Sequence, residues 1–240
     1  MQWHHNVSAK WMQARKSVVT ATELRDLRTA YKKLDPAEIN SVFAGLWAEK
    51  HSTTVDTGSS GAAARGHILE PYAVAEASKI LGKKFFHWDD AVIANGFLGC
   101  SPDALDIPQE TSKVKLTPGE VEQARELLEI KSYSPKTHIQ TVLKDKMDCD
   151  ERWQIAGAFA VMPELEQAHL VLYNPSHVVG CHVKTYARQD LQHEISTIKD
   201  IYRAYLDQAR LIESKLEPLY HQTQWSEQDI WESEMSEPTL

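Results

Sequence analysis

Residues 127–131 read Leu-Leu-Glu-Ile-Lys, a short apolar stretch that carries two opposite charges. The leucines and the isoleucine predict a buried β-strand. Side chains alternate between the two faces of a strand, so we expect Glu129 and Lys131 to share one face while Leu128 and Ile130 point into the core. A carboxylate beside an ammonium group can hold a divalent cation next to a water molecule. This stretch therefore predicts a metal-dependent hydrolytic site.

A second carboxylate stands where an upstream β-hairpin ends, in Ser101-Pro102-Asp103. Proline restricts the local backbone, so Asp103 can be held rigidly towards a neighbouring strand. Two carboxylates from adjacent strand ends supply the hard oxygen ligands that Mg²⁺ or Mn²⁺ prefers. Such an ion acidifies a bound water, and a second ion about 4 Å away can stabilise the leaving oxygen. Alone, Glu-Ile-Lys is often a solvated ion pair and Pro-Asp a turn, but their combination is more specific.

Apolar spacing around these stretches predicts an α/β domain with a central mixed β-sheet flanked by helices. The predicted helices cover 20–31, 35–47, 68–81, 153–162 and about 190–217, and the predicted strands lie within 83–105, 127–131 and 169–186. Thr20 and Glu23 have the spacing of a helix capping box. Pro71 is acceptable only in the first turn of its helix or at a kink, and Gly82 ends that helix. Residues 51–62 and 106–126 have the composition of loops.

The size and composition are those of one soluble domain over residues 1–221, with a short tail. No apolar run approaches the length of a membrane span, and the first residues lack the apolar core of a signal peptide. Three widely spaced cysteines fit free thiols in a reducing cytoplasm rather than a disulfide framework or a zinc ribbon. We therefore expect a cytoplasmic protein with no membrane contact.

The net charge of −8 is unusual for a protein that contacts phosphates. Residues 222–240 carry five acidic residues and no Lys or Arg, a composition that predicts disorder. The first fifty residues have a net charge of +3. The distribution of charge therefore leaves a nucleic-acid substrate possible.

Five motifs, in order over residues 11–186, give the chain a family resemblance. They are Trp11-x-x-x-Arg15 leading into Val19-Thr20-Ala21-Thr22, Arg65-Gly66-His67-x-x-Glu70-Pro71, Gly99-Cys100-Ser101-Pro102-Asp103, Glu129-Ile130-Lys131, and Trp153-Gln154-Ile155. The chain resembles the YqaJ/lambda-exonuclease family of phage recombination nucleases, within the PD-(D/E)XK superfamily with its restriction-endonuclease-like core. The resemblance implies that it hydrolyses linear double-stranded DNA 5′→3′ and leaves 3′ single-stranded tails for recombination.

The resemblance also implies a role for each matching residue. Asp103, Glu129 and the carbonyl of Ile130 would hold Mg²⁺ or Mn²⁺, and Glu70 would reach a second ion. Lys131 would orient or activate the attacking water, and Gln154 would hold that water or Lys131. The phosphate of a DNA end, in particular the 5′ phosphate, would be bound by Arg15, Thr20 and Thr22. A helix N-terminus with hydroxyl groups and a nearby arginine is a suitable anion site.

Several properties beyond these residues are implied by the family alone. They are DNA ends as substrate, a homotrimeric ring around DNA, a single-strand annealing protein as partner, and a phage or prophage origin in a bacterial host. Two departures stand out: Ala104 replaces the usual glycine, and residues 106–128 are longer than the expected hairpin. The four cysteines of the iron–sulfur nucleases of the superfamily are missing, so we expect no cluster.

Simpler interpretations exist for several of these residues. Thr20 could serve only as a helix cap, and Arg15 could form a surface ion pair. Glu70 near a helix start is favoured by the helix dipole in any case, and Gln154 could satisfy a buried backbone group. Two other functions share the pattern: an endonuclease of the same superfamily, and a non-catalytic module that binds DNA ends. The intact Asp103, Glu129 and Lys131 argue against the second.

Overall fold

Five strands form the sheet at the centre of the fold. In this computed structural model, the described residues are 18–20, 23, 45, 61–87, 92–95, 98–107, 121–144 and 147–219. The strands are β1 Val19–Thr20, β2 Phe86–His87, β3 Ile93–Asn95, β4 Leu98–Cys100, β5 Ala104–Leu105, β6 Glu126–Lys131, β7 Gln167–Tyr173 and β8 Cys181–Ala187. The central sheet has the order β2-β5-β6-β7-β8 and is mixed, because β6 and β7 are parallel while the other pairs are antiparallel.

A smaller sheet has the order β1-β4-β3, and its strand β4 leads directly into β5 of the central sheet. Strand β1 lies parallel to β4, with Thr20 opposite Gly99. This close approach depends on Gly99, because a Cβ atom there would lie 2.3 Å from Cγ2 of Val18. The link between the two sheets is Ser101-Pro102-Asp103, so the predicted turn carries Asp103 to the edge of the central sheet.

Four α-helices lie within the described ranges. They are α1 Gly61–Leu81, α2 Pro135–Lys144, α3 Cys149–Val161 and α4 Gln192–Leu216, and short 3₁₀ turns cover Arg188–Leu191 and Glu217–Leu219. The chain passes from β6 through α2 and α3 to the parallel strand β7, which is a crossover connection. None of the described helices is long and apolar enough to cross a membrane.

The hydrophobic core has two parts, one on each face of the central sheet. Leu128 and Ile130 of β6 belong to the cluster that includes Ala73 and Ala77 of α1. Leu127 belongs to the larger cluster formed with α3 and α4, in which Phe159 is fully buried. Both faces of β6 are therefore covered, which explains its nearly continuous apolar sequence. The prediction of a mixed sheet flanked by helices is confirmed.

The first two helices differ from the sequence prediction. Helix α1 begins at Gly61 rather than at Ile68, so Pro71 lies in its interior and not in its first turn. Pro71 has no N–H for the carbonyl of His67, four residues earlier, and its ring faces solvent at an exposed position. Helix α2 was not predicted, although Ser134-Pro135 is a common start signal with serine before the helix and proline in its first position.

Other predictions agree with the structure or lie outside it. Gly82 ends α1 with a φ of 62°, and α4, β7 and β8 lie where apolar spacing placed them. Helix α3 begins at Cys149, four residues before its predicted start at Trp153. The three cysteines are free. Arg15, Thr22 and the acidic tail lie outside the described residues. So do the helices predicted over 20–31 and 35–47, of which only Thr20, Glu23 and Gly45 are described.

Candidate active site

Strand β6 presents Glu129 and Lys131 side by side on its α3-facing side. Nζ of Lys131 donates to Oε1 of Glu129 at 2.7 Å and to Oε1 of Gln154 on α3 at 2.9 Å. The side chains of Glu129 and Lys131 are 8% and 23% exposed, so this ion pair is largely shielded from solvent. The alternation predicted for this strand thus brings together three of the expected site residues.

Asp103 lies directly beside this pair. Ala104 is opposite Leu128 in the antiparallel pairing of β5 and β6, which places Asp103 opposite Glu129. Oδ2 of Asp103 accepts a hydrogen bond of 2.5 Å from the N–H of Ile130. Burial raises the pKa of Asp103 well above its usual range, and the charges of Glu129 and Glu70 raise it further. Ionised Asp103 is therefore disfavoured at this position when no cation is bound.

Glu70 reaches this region from α1, but two histidines hold its carboxylate. Oε1 lies 3.1 Å from Nδ1 of His67, and Oε2 lies 3.4 Å from Nε2 of His87. Burial alone would raise the pKa of Glu70, but the hydrogen bond from His87 and the charge of His67 hold the pKa below its usual value. Its charge nevertheless acts on Asp103. His87 was missed because the pairing of β2 with β5 could not be foreseen. His67 is three residues from Glu70 on the same helix, and this spacing was the available signal for their contact.

The charge state of Lys131 limits what this residue can do. Burial alone would lower the pKa of its ammonium group, but the charge of Glu129 and the hydrogen bond to it raise the pKa above the usual value. Without a metal ion, Lys131 therefore carries a proton near neutral pH. Its ammonium group can orient a water molecule or offset charge on an anionic substrate.

Tyr133 and Arg65 connect the end of β6 to the rest of the site. Nη1 of Arg65 donates to the carbonyl of Ser132 at 2.8 Å, which ties α1 to this strand. The hydroxyl of Tyr133 donates to Glu151 of α3, one helical turn before Gln154. The sequence analysis did not predict Tyr133 or Glu151 as part of the site. The spacing of three residues between Glu151 and Gln154 could have indicated that both lie on the same face of one helix.

Thr20 lies near the site but does not reach it within the described residues. Its amide donates to Oε2 of Glu23 at 2.7 Å, and its Oγ1 accepts from the amide of Glu23 at 3.4 Å. These are the two reciprocal hydrogen bonds of a capping box, as the spacing predicted. Through β1 and β4, Thr20 is adjacent to the chain that leads into Asp103. Its predicted partners Arg15 and Thr22 are outside the described residues.

The donor atoms fit a hard divalent cation held by few protein ligands. Asp103 and Glu129 offer carboxylate oxygens. The N–H of Ile130 donates a hydrogen bond to Asp103, and the carbonyl of Ile130 faces the same edge of the strand. No cluster of three His, Cys, Asp or Glu side chains suited to a metal ion occurs among the residues described. A cation here would therefore retain several waters, as Mg²⁺ usually does.

The central sheet, with its charged strand β6 between α1 and α3, defines a mixed α/β fold. Residues 10–162 match the YqaJ-like viral recombinase domain, and the chain belongs to that family. The family identified from the five motifs is thereby confirmed. A comparison with curated proteins finds no match.

Solved structures of low sequence identity share this fold. The alkaline exonuclease LHK-Exo from Laribacter hongkongensis is 22% identical with a TM-score of 0.66, over 89% of this chain and 100% of that one. The same enzyme in complex with dAMP is 21% identical over the same shares, also with a TM-score of 0.66. A phage-related exonuclease from Haemophilus somnus 129PT is 12% identical with a TM-score of 0.54, over 82% of this chain and 96% of that one.

Proposed function

We propose that this protein is a Mg²⁺- or Mn²⁺-dependent exonuclease that degrades linear double-stranded DNA 5′→3′. The observation that carries the proposal is the meeting of Asp103, Glu129, Lys131 and Gln154 at one edge of the central sheet. Family membership supports it, as do the exonucleases that share the fold. The product would be a 3′ single-stranded tail, the substrate of a strand-annealing protein. A homotrimeric ring around DNA would let the enzyme remain on one duplex.

The side chains divide the work of hydrolysis between them. Asp103, Glu129 and the carbonyl of Ile130 would hold the ion, and Glu70 would serve a second ion after giving up one of its histidine partners. The ion, when bound, supplies positive charge and lowers the pKa of water. Lys131 places an ammonium group beside the scissile phosphate and orients the attacking water. Gln154 keeps that ammonium group in position through its Oε1.

Recognition of the DNA end is assigned to the N-terminal segment. Thr20 is held beside β4 opposite Gly99, two residues before the turn that carries Asp103 begins. Arg15 and Thr22 flank it in the chain, and a guanidinium group with two hydroxyls would bind a terminal phosphate. We propose that these residues hold the 5′ phosphate of the strand that is cut.

A digestion of end-labelled DNA tests this function. A linear duplex labelled at the 5′ or the 3′ end is incubated with Mg²⁺ or with EDTA, beside a closed circular duplex. We expect Mg²⁺-dependent release of 5′ label first, faster from 5′-phosphorylated than from 5′-hydroxyl ends, and no loss of circles. Early release of 3′ label would contradict the polarity. Cutting of circles would indicate an endonuclease, and binding of ends without cleavage would indicate an end-binding module.

A further inference from the structure

Two side-chain contacts join α3 to the end of β6. In one, Lys131 donates to Gln154 at 2.9 Å. In the other, the hydroxyl of Tyr133 donates to Oε1 of Glu151. Glu151 and Gln154 are three residues apart and therefore lie on the same face of the helix. The two contacts form neighbouring links between the same pair of elements.

Glu151 is a buried carboxylate with two identified donors. The residue is 3% exposed, and its Oε2 accepts the amide of Asp148 at 2.8 Å before the first turn of α3. Its other oxygen accepts from Tyr133. A buried carboxylate oxygen that loses its donor must find another, because an unpaired charge in the interior is costly.

Lys131 is the cation that such a carboxylate would attract. Lys131 is bound to Gln154, which lies three residues from Glu151 on the same face of α3. At present the Lys131 ammonium group is bound to Glu129 and Gln154. If Oε1 of Glu151 lost its donor, it would compete with both of these partners for the same ammonium protons.

The backbone of Tyr133 is itself fixed from two directions. Its carbonyl accepts from Nδ2 of Asn174 at 3.0 Å, and Asn174 is fully buried at the end of β7. Nη1 of Arg65 on α1 lies 3.5 Å from the same carbonyl. The backbone from which the Tyr133 side chain extends is therefore held by Asn174 of the β7 end and by Arg65 of α1.

We propose that Tyr133 is a positioning residue: its hydroxyl occupies Glu151 and thereby leaves Lys131 bound to Gln154 and Glu129. The expected loss of kcat rests on the proposed nuclease function. The expected effect on the contact between Lys131 and Gln154 does not. In this proposal, Tyr133 contacts neither the scissile phosphate nor a metal ion. It acts through Glu151 on the location of the Lys131 ammonium group.

Four proteins test the proposal: the wild type, Tyr133→Phe, Glu151→Gln and the double variant. Tyr133→Phe removes only the hydroxyl, and we expect kcat to fall roughly ten- to a hundredfold with little change in KM for DNA. Glu151→Gln keeps an acceptor for the Asp148 amide, so its loss should be smaller. The double variant should recover most of the activity, since a neutral amide does not compete for Lys131.

Tyr186→Phe is the matched control. The hydroxyl of Tyr186 accepts from the amide of Met147, close to the start of α3 but away from Lys131. We expect this variant to keep the wild-type kcat, and thermal unfolding should show that all variants remain folded. An equal loss of kcat in Tyr186→Phe, or a double variant no better than Tyr133→Phe, would overturn the proposal in favour of a general loosening of α3.

A second readout does not require cleavage. The side-chain amide signals of Gln154, assigned by their loss in Gln154→Leu, are recorded by NMR in each protein without metal. Tyr133→Phe should shift them, and the double variant should return them towards wild type. Unshifted signals would overturn the inference even if the enzyme is active. A wild type that fails to cut DNA while the signals respond as expected would refute the nuclease function and leave the positioning of Lys131 supported.

Discussion

Asp103 combines a buried position with two acidic neighbours, and its charge should therefore cost folding free energy when no metal is bound. Burial and the charges of Glu129 and Glu70 raise its pKa well above the usual range. A carboxyl group with a raised pKa in the folded state contributes stability below its unfolded pKa. That contribution is lost as the pH rises through the folded pKa.

Asp103→Asn should accordingly raise the melting temperature of the EDTA-treated protein at pH 8 by about 2–4 °C. The amide keeps an acceptor for the N–H of Ile130 but carries no charge. The gain should shrink as the pH falls towards 4, because the aspartate becomes protonated in the folded state and no longer carries the charge that burial penalises. Asp207→Asn, at an exposed position of α4, serves as control. A gain of the same size at pH 4 would contradict this explanation.

Single residues show how far the sequence could define the site. The alternation of side chains predicted that Glu129 and Lys131 share a face, because this depends only on the period of a strand. The hydrogen bond from Ile130 to Asp103 depends on the register of β5 against β6, which local sequence does not determine. His87 and Tyr133 were missed because their partners, Glu70 and Glu151, are 17 and 18 residues away along the chain and come close only in the folded protein.

At the scale of elements, the junction between the two sheets is the most sensitive to substitution. Gly99 in β4 allows β1 to approach, and a Cβ atom there would lie 2.3 Å from Cγ2 of Val18. We expect Gly99→Ala to destabilise the protein by about 1–3 kcal/mol, measured by urea unfolding.

A second substitution separates crowding from other effects at this junction. Val18→Ala removes the clashing methyl group, so it should cost less in the Gly99→Ala background than in the wild type. Strictly additive losses of unfolding free energy would contradict the close packing of β1 on β4.

Elements also show what the sequence leaves undetermined. Helix α4 was predicted because its apolar residues recur over many turns, and α3 because its sequence is apolar almost throughout. Helix α2 is only ten residues long and its buried residues are His138 and Thr141, so few apolar side chains mark it in the sequence. The start of α1 was misplaced because its first residues, Gly61-Ala-Ala-Ala, carry no apolar periodicity and follow a small, polar stretch with the composition of a loop.

In the whole molecule, we propose that Lys131, Asp103 and Glu129 form the catalytic centre of a metal-dependent DNA exonuclease. The family and the exonucleases that share the fold support this claim. The net charge of −8 does not oppose the claim, because five of the acidic residues lie in the last nineteen positions.

The most direct measurement is the rate at which Lys131→Ala releases nucleotides from linear duplex DNA in Mg²⁺, beside the wild type and Lys199→Ala. Lys199 lies exposed on α4, away from the site, and its variant should retain the wild-type rate. We expect Lys131→Ala to lose at least about a hundredfold in rate while thermal unfolding shows that it is still folded at the assay temperature. Full activity in Lys131→Ala would contradict the assignment of the catalytic centre.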